Sequence, residues 1–260
     1  MTSPTLVFYS SLQAAFDHFN VHLFGGELPA CLITLRSASR VYGYHHAKRF
    51  VSADGQHLDE LGLHPGFFTL RSIEAVLSTL VHEMAHHWQH HFGTSTKSNA
   101  HNKEWARKME LLGLMPSNTG LPEGKRTGRS VSHYIQPEGA YLKACRELLA
   151  TGFALPWMDR HAPAPPEGEV AHQAALKAAG IVIDTTPPPS ATLPQQINGK
   201  TVIVGPPPKR PNTREKFTCP DCGARAWAAP GTQINCGVCS VAMLDGRRDT
   251  DEATAPVSKN

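Results

Sequence analysis

The stretch LVHEMAHHWQH at positions 80–90 contains four histidines, and their spacing decides which of them could bind a metal. Within it, residues 82–86 have the form HExxH. Two histidines four positions apart project from the same face of a helix, so His82 and His86 can reach one Zn²⁺. Glu83 lies beside the first histidine, close enough to take a proton from a metal-activated water without binding the metal itself. The motif therefore predicts zinc-dependent hydrolysis with Glu83 as the general base.

A third protein ligand is expected elsewhere, because a catalytic zinc usually has three protein ligands and one open position. His101, which follows the turn at Gly93 and begins the next helix, is the better candidate. Glu104, one turn further along, is the alternative. The glycine and the histidine that a metzincin motif requires are replaced here by Gln89 and Phe92, which excludes that register.

The other histidines of the motif helix have less specific interpretations. An apolar stripe runs along this helix at helical spacing, and His82 and His86 lie nearly opposite it. That position favours metal ligands, or a solvated surface, over a hydrogen-bonded core. His87 lies at the edge of the stripe and is interpreted as a packing residue. His90 and His91 are expected to be surface residues or hydrogen-bonding partners of the ligands.

A second metal site is predicted near the C-terminus. Two CxxC pairs separated by thirteen residues supply four thiolates, from Cys219, Cys222, Cys236 and Cys239. This spacing is typical of a structural zinc, which gives two Zn²⁺ per chain in total. Gly223 and Gly237 stand where the turns between the cysteines are expected to need a relaxed backbone. The segment is too short for much of a core, so the metal would supply most of its folding free energy. Cys31 and Cys145 stand alone and are expected to be inert buried thiols.

Basic and aromatic residues around the cysteine pairs indicate a nucleic-acid partner. The residues expected to contact DNA are Lys209, Arg210, Arg214, Lys216, Trp227, Arg247 and Arg248. Arg225 adds a further positive charge, and Phe217 is a second aromatic side chain that could stack on a base. The alternative is a solvated surface with a structural tryptophan.

The elements that must position these residues form an α+β domain over residues 1–155. Helical periodicity predicts helices that end at Gly25, Gly93, Gly113 and near residue 150. Strands are predicted in CLITLRSA, in VYGYHHAKRF and near residues 61–64, and residues 115–135 are predicted to be a loop. VYGYHHAKRF is either an edge strand onto which an extended substrate could add or an ordinary sheet strand. Three residues of the loop could stabilise an oxyanion, and the sequence leaves the choice open between Arg129, His133 and Tyr134.

Composition divides the remainder of the chain. Residues 156–212 are rich in proline and predict a semi-extended linker with one weak helix at EVAHQAALKAAG. Residues 213–248 form the predicted zinc ribbon, and residues 249–260 the predicted disordered tail. No apolar run approaches the about 18 residues of a membrane span, and the N-terminus lacks the features of a secretory signal. Cysteines in CxxC pairs suit a reducing compartment, so a cytoplasmic protein is expected, nucleoid-associated in a bacterium. A net charge of +3 over 260 residues does not by itself identify a nucleic-acid binder.

Several segments together resemble the SprT-like family, which includes the eukaryotic Spartan proteases. In order, they are LFGGELP, VYGYHHAKRF, STLVHEMAHHWQHHFG, HNKEWARKMELLGLMPSNTG and the final CxxC pairs. The resemblance covers roughly residues 8–150 and 216–245. It implies a zincin-like catalytic domain with a small antiparallel sheet and an HExxH active-site helix, followed by a four-cysteine zinc ribbon. It also implies that His82, His86 and the histidine of an H-x-x-x-[WF] helix bind the catalytic zinc. His101 and Trp105 match the ends of that last motif.

The sequence thus predicts a zinc endopeptidase that acts on DNA-associated proteins. One alternative is a DNA-binding zinc protein whose HExxH site is catalytically silent, although such a site has no use for Glu83. The other is a zinc hydrolase with a non-protein substrate such as RNA. One such family has its last histidine ligand at the position that Phe92 occupies here, so this chain lacks that ligand. The physiological substrate and the oligomeric state are not predicted.

Overall fold

A computed structural model describes residues 3–37, 41–94, 100–160, 175–176, 178, 194–197, 200–203 and 214–245. The chain divides into two compact units, Met1–Pro207 and Pro208–Asn260. Most of the predicted linker and the whole predicted tail lie outside the described residues. Among the described helices, none has both the length and the apolar character needed to cross a membrane.

Four α-helices lie in the described part of the first unit. They are α1 (Pro4–Phe24), α2 (Ile73–Phe92), α3 (Lys103–Leu111) and α4 (Ala140–Ala150), with a short 3₁₀ helix at Pro65–Phe67 before α2. The ends of three of these helices are set by capping residues. Gly25 ends α1 in the left-handed conformation, with a φ of 68°. The Ser72 side chain accepts a hydrogen bond from the Ala75 amide at the start of α2, and Asn102 caps α3 in the same way.

The central helix α2 is buried on nearly all sides, because α1, α3, α4 and the main sheet surround it. Its apolar stripe packs against the other helices. The largest side chains of this core with almost no exposure include Phe19, Leu80, Met84, Trp105 and Tyr141. Burial of each such side chain contributes about 1.5–3 kcal/mol. The packing therefore fixes α2, and with it the HExxH motif, as the rigid centre of the unit.

The main sheet has three strands, β1 (Cys31–Leu35), β2 (Gly43–Val51) and β3 (His57–Leu63), in the order β1-β3-β2. The expected antiparallel arrangement is correct for β2 and β3 but wrong for β1, which pairs with β3 in parallel. Because β2 is antiparallel to β3, β1 runs opposite to β2 and occupies the other edge of β3. A register shift interrupts β2 between His46 and Phe50. Within it, Lys48 has a φ of 51°.

A second pair of strands lies within the segment predicted to be a loop. Strand β4 (Leu114–Ser117) pairs antiparallel with β5 (Ser132–Ile135), which places His133 opposite Pro116. The loop prediction is therefore wrong at both ends of residues 115–135. Each strand has only four residues, so neither shows an alternating pattern long enough to be recognised from the sequence.

The proline-rich segment also contains regular structure. Strands β6 (Pro194–Ile197) and β7 (Lys200–Ile203) form an antiparallel pair where only a semi-extended linker was expected. Residues 175–176 and 178 are helical and fall within the predicted weak helix.

The second unit is a small three-stranded sheet. Its strands are β8 (Glu215–Thr218), β9 (Arg225–Ala228) and β10 (Leu244–Asp245), in the order β10-β8-β9 with antiparallel pairing. The buried side chains that the structure describes in this unit are Phe217, Cys219 and Cys236. With one aromatic side chain as its core, this unit buries little apolar surface.

Candidate active site and metal centres

The tertiary structure covers the face of α2 that carries the HExxH motif. His82 is 9% exposed, Glu83 is 5% exposed and His86 is 7% exposed. Considered as an isolated helix, α2 presents these side chains away from its apolar stripe. In the folded unit, the Trp105 side chain on α3 packs against both histidine rings, with ring centroids 4.9 Å and 5.1 Å away. The motif therefore lies in a largely buried site rather than on an open surface.

His101 joins the two motif histidines. The potential ligand atoms of His82, His86 and His101 all lie within 4.8 Å of one another, so the three could hold one metal ion. The indole of Trp105 also contacts the His101 ring, at 4.3 Å between centroids, and so forms a common floor for the site. Backbone hydrogen bonds in both directions between His101 and Gly128, each 3.0 Å long, fix the position of His101.

Glu104, the alternative third ligand, lies elsewhere. Its Oε2 atom accepts hydrogen bonds from the Thr94 amide at 2.6 Å and from the Gln89 side chain at 2.9 Å. These contacts tie the start of α3 to the end of α2, and Glu104 does not join the histidine group. Between the two candidates, the geometry favours His101 as the third ligand.

A chain of hydrogen bonds determines which nitrogen of His82 faces the site. The Ser78 hydroxyl donates to the Ala75 carbonyl at 2.9 Å, so its oxygen accepts from Nε2 of His133 at 2.9 Å. Nδ1 of a neutral His133 then accepts a hydrogen bond from Nδ1 of His82 at 3.1 Å. Nε2 of His82 is left with a free lone pair.

The same reasoning applies to His101. Its Nδ1 atom donates to the Gly128 carbonyl at 3.2 Å, which leaves the lone pair on Nε2. The two Nε2 atoms of His82 and His101 lie 3.3 Å apart. Two lone pairs at this distance repel each other unless a cation lies between them. In a tetrahedral site with Zn–N bonds of about 2.0–2.1 Å, ligand nitrogens are about 3.3–3.4 Å apart, so these residues fit zinc.

Burial sets the protonation states in the site. It lowers the pKa of His82 and of His86 well below the usual value, and it also lowers the pKa of His101. All three rings are therefore neutral near pH 7, which is the form that binds a metal. Burial also raises the pKa of Glu83 to about 8 and lowers that of His133 to about 3. A pKa near 8 keeps Glu83 largely protonated at pH 7 unless a cation held by the three histidines favours its carboxylate form.

An open cleft of about 470 Å³ leads to these residues, with walls formed by the start of β2, by α2 and by residues 129–133. Gly43 allows β2 to approach α2 closely. A Cβ atom at this position would lie 2.8 Å from the Thr79 methyl group and 2.9 Å from Oε1 of Glu83. The absence of a side chain at Gly43 therefore leaves room for the Glu83 carboxylate between strand and helix.

The residues that line the cleft limit the choice of the residue that could stabilise an oxyanion. Arg129 and His133 line it, but both nitrogens of His133 already contact His82 and Ser78. Arg71 is a further cation in the wall, which sequence reasoning missed. Its guanidinium lies 4.2 Å from the centre of the Tyr42 ring. A lone arginine before a helix gives no sequence signal of this role, because the wall forms only when β2 packs beside α2.

The four cysteines predicted to bind zinc come together in the second unit. Their sulfur atoms all lie within 4.8 Å of one another, and those of Cys222 and Cys236 are 3.6 Å apart. Tetrahedral geometry with Zn–S bonds of about 2.3 Å places sulfur atoms about 3.8 Å apart, so the four cysteines fit a structural zinc. Burial raises the pKa of the two separate thiols, to about 12 for Cys31 and about 11 for Cys145, which makes them poor nucleophiles.

Two equivalent turns hold the cysteine pairs. The Gly223 amide donates to the Cys219 carbonyl at 3.0 Å, and the Ser240 amide donates to the Cys236 carbonyl at 2.8 Å. The residue after the second cysteine of each pair adopts a positive φ, 72° at Gly223 and 57° at Ser240. The expectation for Gly223 is correct, whereas that for Gly237 is wrong, because Gly237 follows the first cysteine of its pair.

The hairpin of β8 and β9 has one basic face. Lys216 lies opposite Trp227, and Thr218 lies opposite Arg225. Because side chains alternate along strands, these residues share one face, where Trp227 is 61% exposed. Phe217 points to the other face and is buried, so the suggestion that it stacks on a base is wrong.

Arg214 is exposed just before β8. Between residues 214 and 245, three basic residues balance three acidic ones. The basic excess that the sequence predicts thus rests on residues outside the described part of the chain, namely Lys209, Arg210, Arg247 and Arg248.

Comparison with known proteins identifies the family of the first unit. Residues 12–126, which include α2 and His101, match the model of the SprT-like family. A Salmonella typhimurium protein, described as an uncharacterized protein in the mucB 3' region, is 51% identical over 59 residues, which are 22% of this chain and 80% of that protein. No solved structure matches the chain. The chain belongs to the SprT-like family, whose members are generally metallopeptidase-like.

Proposed function

We propose that this chain is a zinc-dependent endopeptidase whose catalytic zinc is held by His82, His86 and His101. The observation that supports this most directly is the pair of Nε2 lone pairs, 3.3 Å apart, on His82 and His101. Glu83 lies on the same helix and lines the same cleft, so a base stands beside the metal site. A purely structural metal site has no use for a carboxyl group in this position.

Glu83 performs the proton transfers in the proposed reaction. When bound, zinc supplies a Lewis acid that polarises a peptide carbonyl and lowers the pKa of a water toward about 7. The Glu83 carboxylate accepts the proton of the attacking water as the new C–O bond forms. It then delivers that proton to the leaving amine as the C–N bond breaks. Arg71 and Arg129, both in the cleft wall, are candidates for stabilising the developing negative charge.

The variant Glu83→Gln tests catalysis separately from metal binding. It keeps the size and shape of the side chain but cannot accept the proton. We expect unchanged zinc content and melting temperature, with cleavage of an unstructured peptide at least about 100-fold slower. The exposed residue Glu123 provides a matched control as Glu123→Gln. Cleavage by Glu83→Gln at the wild-type rate would contradict the mechanism. A zinc-loaded wild-type chain that cleaves no peptide would favour the silent-site alternative.

We further propose that the four-cysteine unit binds a structural zinc and acts as the DNA-binding module. Lys216, Arg225 and Trp227 share one exposed face of the hairpin. Glu215, the neighbour of Lys216, belongs to the opposite face. Basic side chains neutralise phosphates, and an exposed indole stacks on an unpaired base. On this proposal, the substrates are proteins bound to the same DNA, and tethering raises their concentration near the cleft.

Two variants of the full chain test the DNA proposal. We expect Trp227→Ala to weaken single-stranded DNA binding by about 1–3 kcal/mol, the value of one stacked base. Lys216→Ala should lower the slope of log K against log salt concentration by about one, which is the contribution of one phosphate contact. Val238 is 84% exposed, and Val238→Ala serves as a control for loss of exposed apolar surface. Wild-type DNA binding and salt dependence in both test variants would refute the proposed interface.

A further inference from the structure

Three histidine nitrogens converge on one carboxylate oxygen on the sheet side of α2. The oxygen is Oδ2 of Asp59, and the nitrogens are His45 Nε2 at 3.0 Å, His87 Nδ1 at 2.9 Å and His91 Nε2 at 3.1 Å. Asp59 is 4% exposed, and the side chains of His45 and His87 are 1% and 0% exposed. The cluster joins β2, β3 and α2, and nothing in the proposed reaction uses it.

Hydrogen bonding alone does not account for this cluster. A carboxylate has about four lone-pair positions, so each oxygen accepts about two hydrogen bonds. Three nitrogens approach Oδ2 of Asp59. The crowding is on one side only, because Oδ1 has a separate partner, the Lys48 amide at 2.7 Å.

His87 presents a sharper conflict. Its Nε2 atom lies 3.0 Å from the Pro29 carbonyl, which can only accept a hydrogen bond, so Nε2 carries a proton. In a neutral ring Nδ1 then has a lone pair, and this faces Oδ2 of Asp59 at 2.9 Å. Either a doubly protonated ring paired with the Asp59 carboxylate or a divalent cation in contact with both atoms resolves this conflict.

The groups around the cluster hold it in the arrangement that metal ligands usually have. The second nitrogen of His87 donates to a backbone carbonyl, which fixes the ring and directs Nδ1 toward Asp59. The irregular segment of β2 turns the Lys48 amide toward Oδ1 of Asp59, and Lys48 adopts a positive φ of 51° to do so. Such bulges commonly re-aim groups beside functional sites.

We propose that His45, Asp59 and His87 bind a divalent transition-metal ion, of which Zn²⁺ is the natural representative, while His91 donates a hydrogen bond to the same Asp59 oxygen. Imidazole and carboxylate donors suit this class of ion. The ligand atoms of the first three residues all lie within 4.8 Å of one another. Ligand atoms that each lie about 2.1 Å from one ion are at most about 4.2 Å apart. Asp59 Oδ2 lies 3.0 Å from His45 Nε2 and 2.9 Å from His87 Nδ1, within this limit and closer than in an ideal tetrahedron.

The ion would have a structural role. It links α2, through His87, to strands β2 and β3, through His45 and Asp59. His86 and His87 are adjacent in sequence, and they face different partners around the helix axis. The site therefore fixes the rotation and position of α2 relative to β2, which forms the opposite wall of the cleft.

Metal counting in the full chain tests the site. The wild type and the variants Asp59→Asn and His45→Gln are incubated with excess Zn²⁺, desalted, and analysed by mass spectrometry for zinc. His46→Gln is the matched control, because His46 is the next residue of β2 and is exposed. We expect the wild type and the control to contain one zinc per chain more than either test variant. This difference does not depend on whether the other two centres are filled, so it stands apart from the proposed function. Equal zinc content in all four folded proteins would overturn the proposal.

If the test variants do not fold, a measurement on the wild type tests the proposed metal site. Long-range ¹H–¹⁵N correlation spectra of the zinc-loaded wild type report the protonation of each histidine nitrogen. We expect His87 to carry a proton on Nε2 only, with Nδ1 bound to zinc. Protons on both nitrogens would show a buried imidazolium paired with Asp59 and would refute the metal site.

Discussion

The Nδ1 atoms of His82 and His133 lie 3.1 Å apart, although the two residues are 51 positions apart in the sequence. This contact makes His133 the partner that orients the first histidine of the HExxH motif. Nε2 of His133 donates its proton to the Ser78 hydroxyl oxygen, so Nδ1 of a neutral His133 carries none. The proton between the two rings is therefore on Nδ1 of His82. The arrangement directs Nε2 of His82 toward His101.

Removal of His133 should therefore weaken zinc binding without removing a ligand. We expect His133→Phe to reduce active-site zinc affinity about 10- to 100-fold, the usual cost of losing such a partner. Competition with a chelator measures this affinity. His133→Asn keeps a hydrogen-bond acceptor and should restore part of it, and His46→Phe is the control for loss of an imidazole. Equal losses in the phenylalanine and asparagine variants would point to packing rather than orientation.

The third ligand can be distinguished by a pair of variants. His101→Ala should abolish tight zinc binding at the active site, because only two ligands then remain. Glu104→Ala should leave zinc in place and lower the melting temperature, since it breaks the contacts to Gln89 and Thr94. Zinc counts and thermal unfolding curves of both proteins give the answer. Loss of zinc in the Glu104 variant alone would mean a site with two histidines and one glutamate.

Gly43 is expected to be essential for the position of the catalytic base. In Gly43→Ala the new methyl group would meet Thr79 and Glu83, so the carboxylate must move. A displacement of about 1 Å commonly costs about 100-fold in rate. We expect peptide cleavage to fall by about that factor while zinc content stays the same. Gly55→Ala, in the turn that follows β2 and with open space around it, controls for a glycine-to-alanine change outside the cleft, although its positive φ costs some stability. A fully active Gly43→Ala enzyme would show that the strand can retreat from α2.

The two glycines of the cysteine unit should respond differently to substitution. Gly223→Ala forces alanine into the left-handed region, which costs about 1–2 kcal/mol. Because folding of this unit is coupled to metal binding, its apparent zinc affinity should fall roughly 5- to 30-fold. Gly237→Ala should have little effect, since Gly237 has no positive φ and no atoms within 4 Å of a new Cβ. Chelator competition on both variants measures the difference, and similar losses would contradict this account of the turns.

Much of the site could be read from short-range patterns. The spacing of His82, Glu83 and His86 is a property of one helix, and the spacing of the CxxC pairs is a property of one compact turn. Helix ends at Gly25 and Ser72 likewise follow from local backbone preference and side-chain hydrogen bonds. Each of these features depends on residues within a few positions of one another, so each could be predicted from the sequence alone.

Long-range pairing decided the rest. The parallel register of β1 with β3, the strand that carries His133 and the cleft wall that contains Arg71 all join residues far apart in sequence. Local periodicity does not encode such contacts, because four- or five-residue strands are too short to show a pattern.

The convergence of His45, Asp59 and His87 is the clearest case of this kind. The sequence suggested only a packing residue at His87, and sheet pairing together with helix packing brought the three side chains to one point. The sequence by itself thus determined which residue types lie on the motif helix and in the cysteine turns. The tertiary structure decided which of them meet, since the partners that set the tautomer, charge and burial of a histidine come from distant parts of the chain.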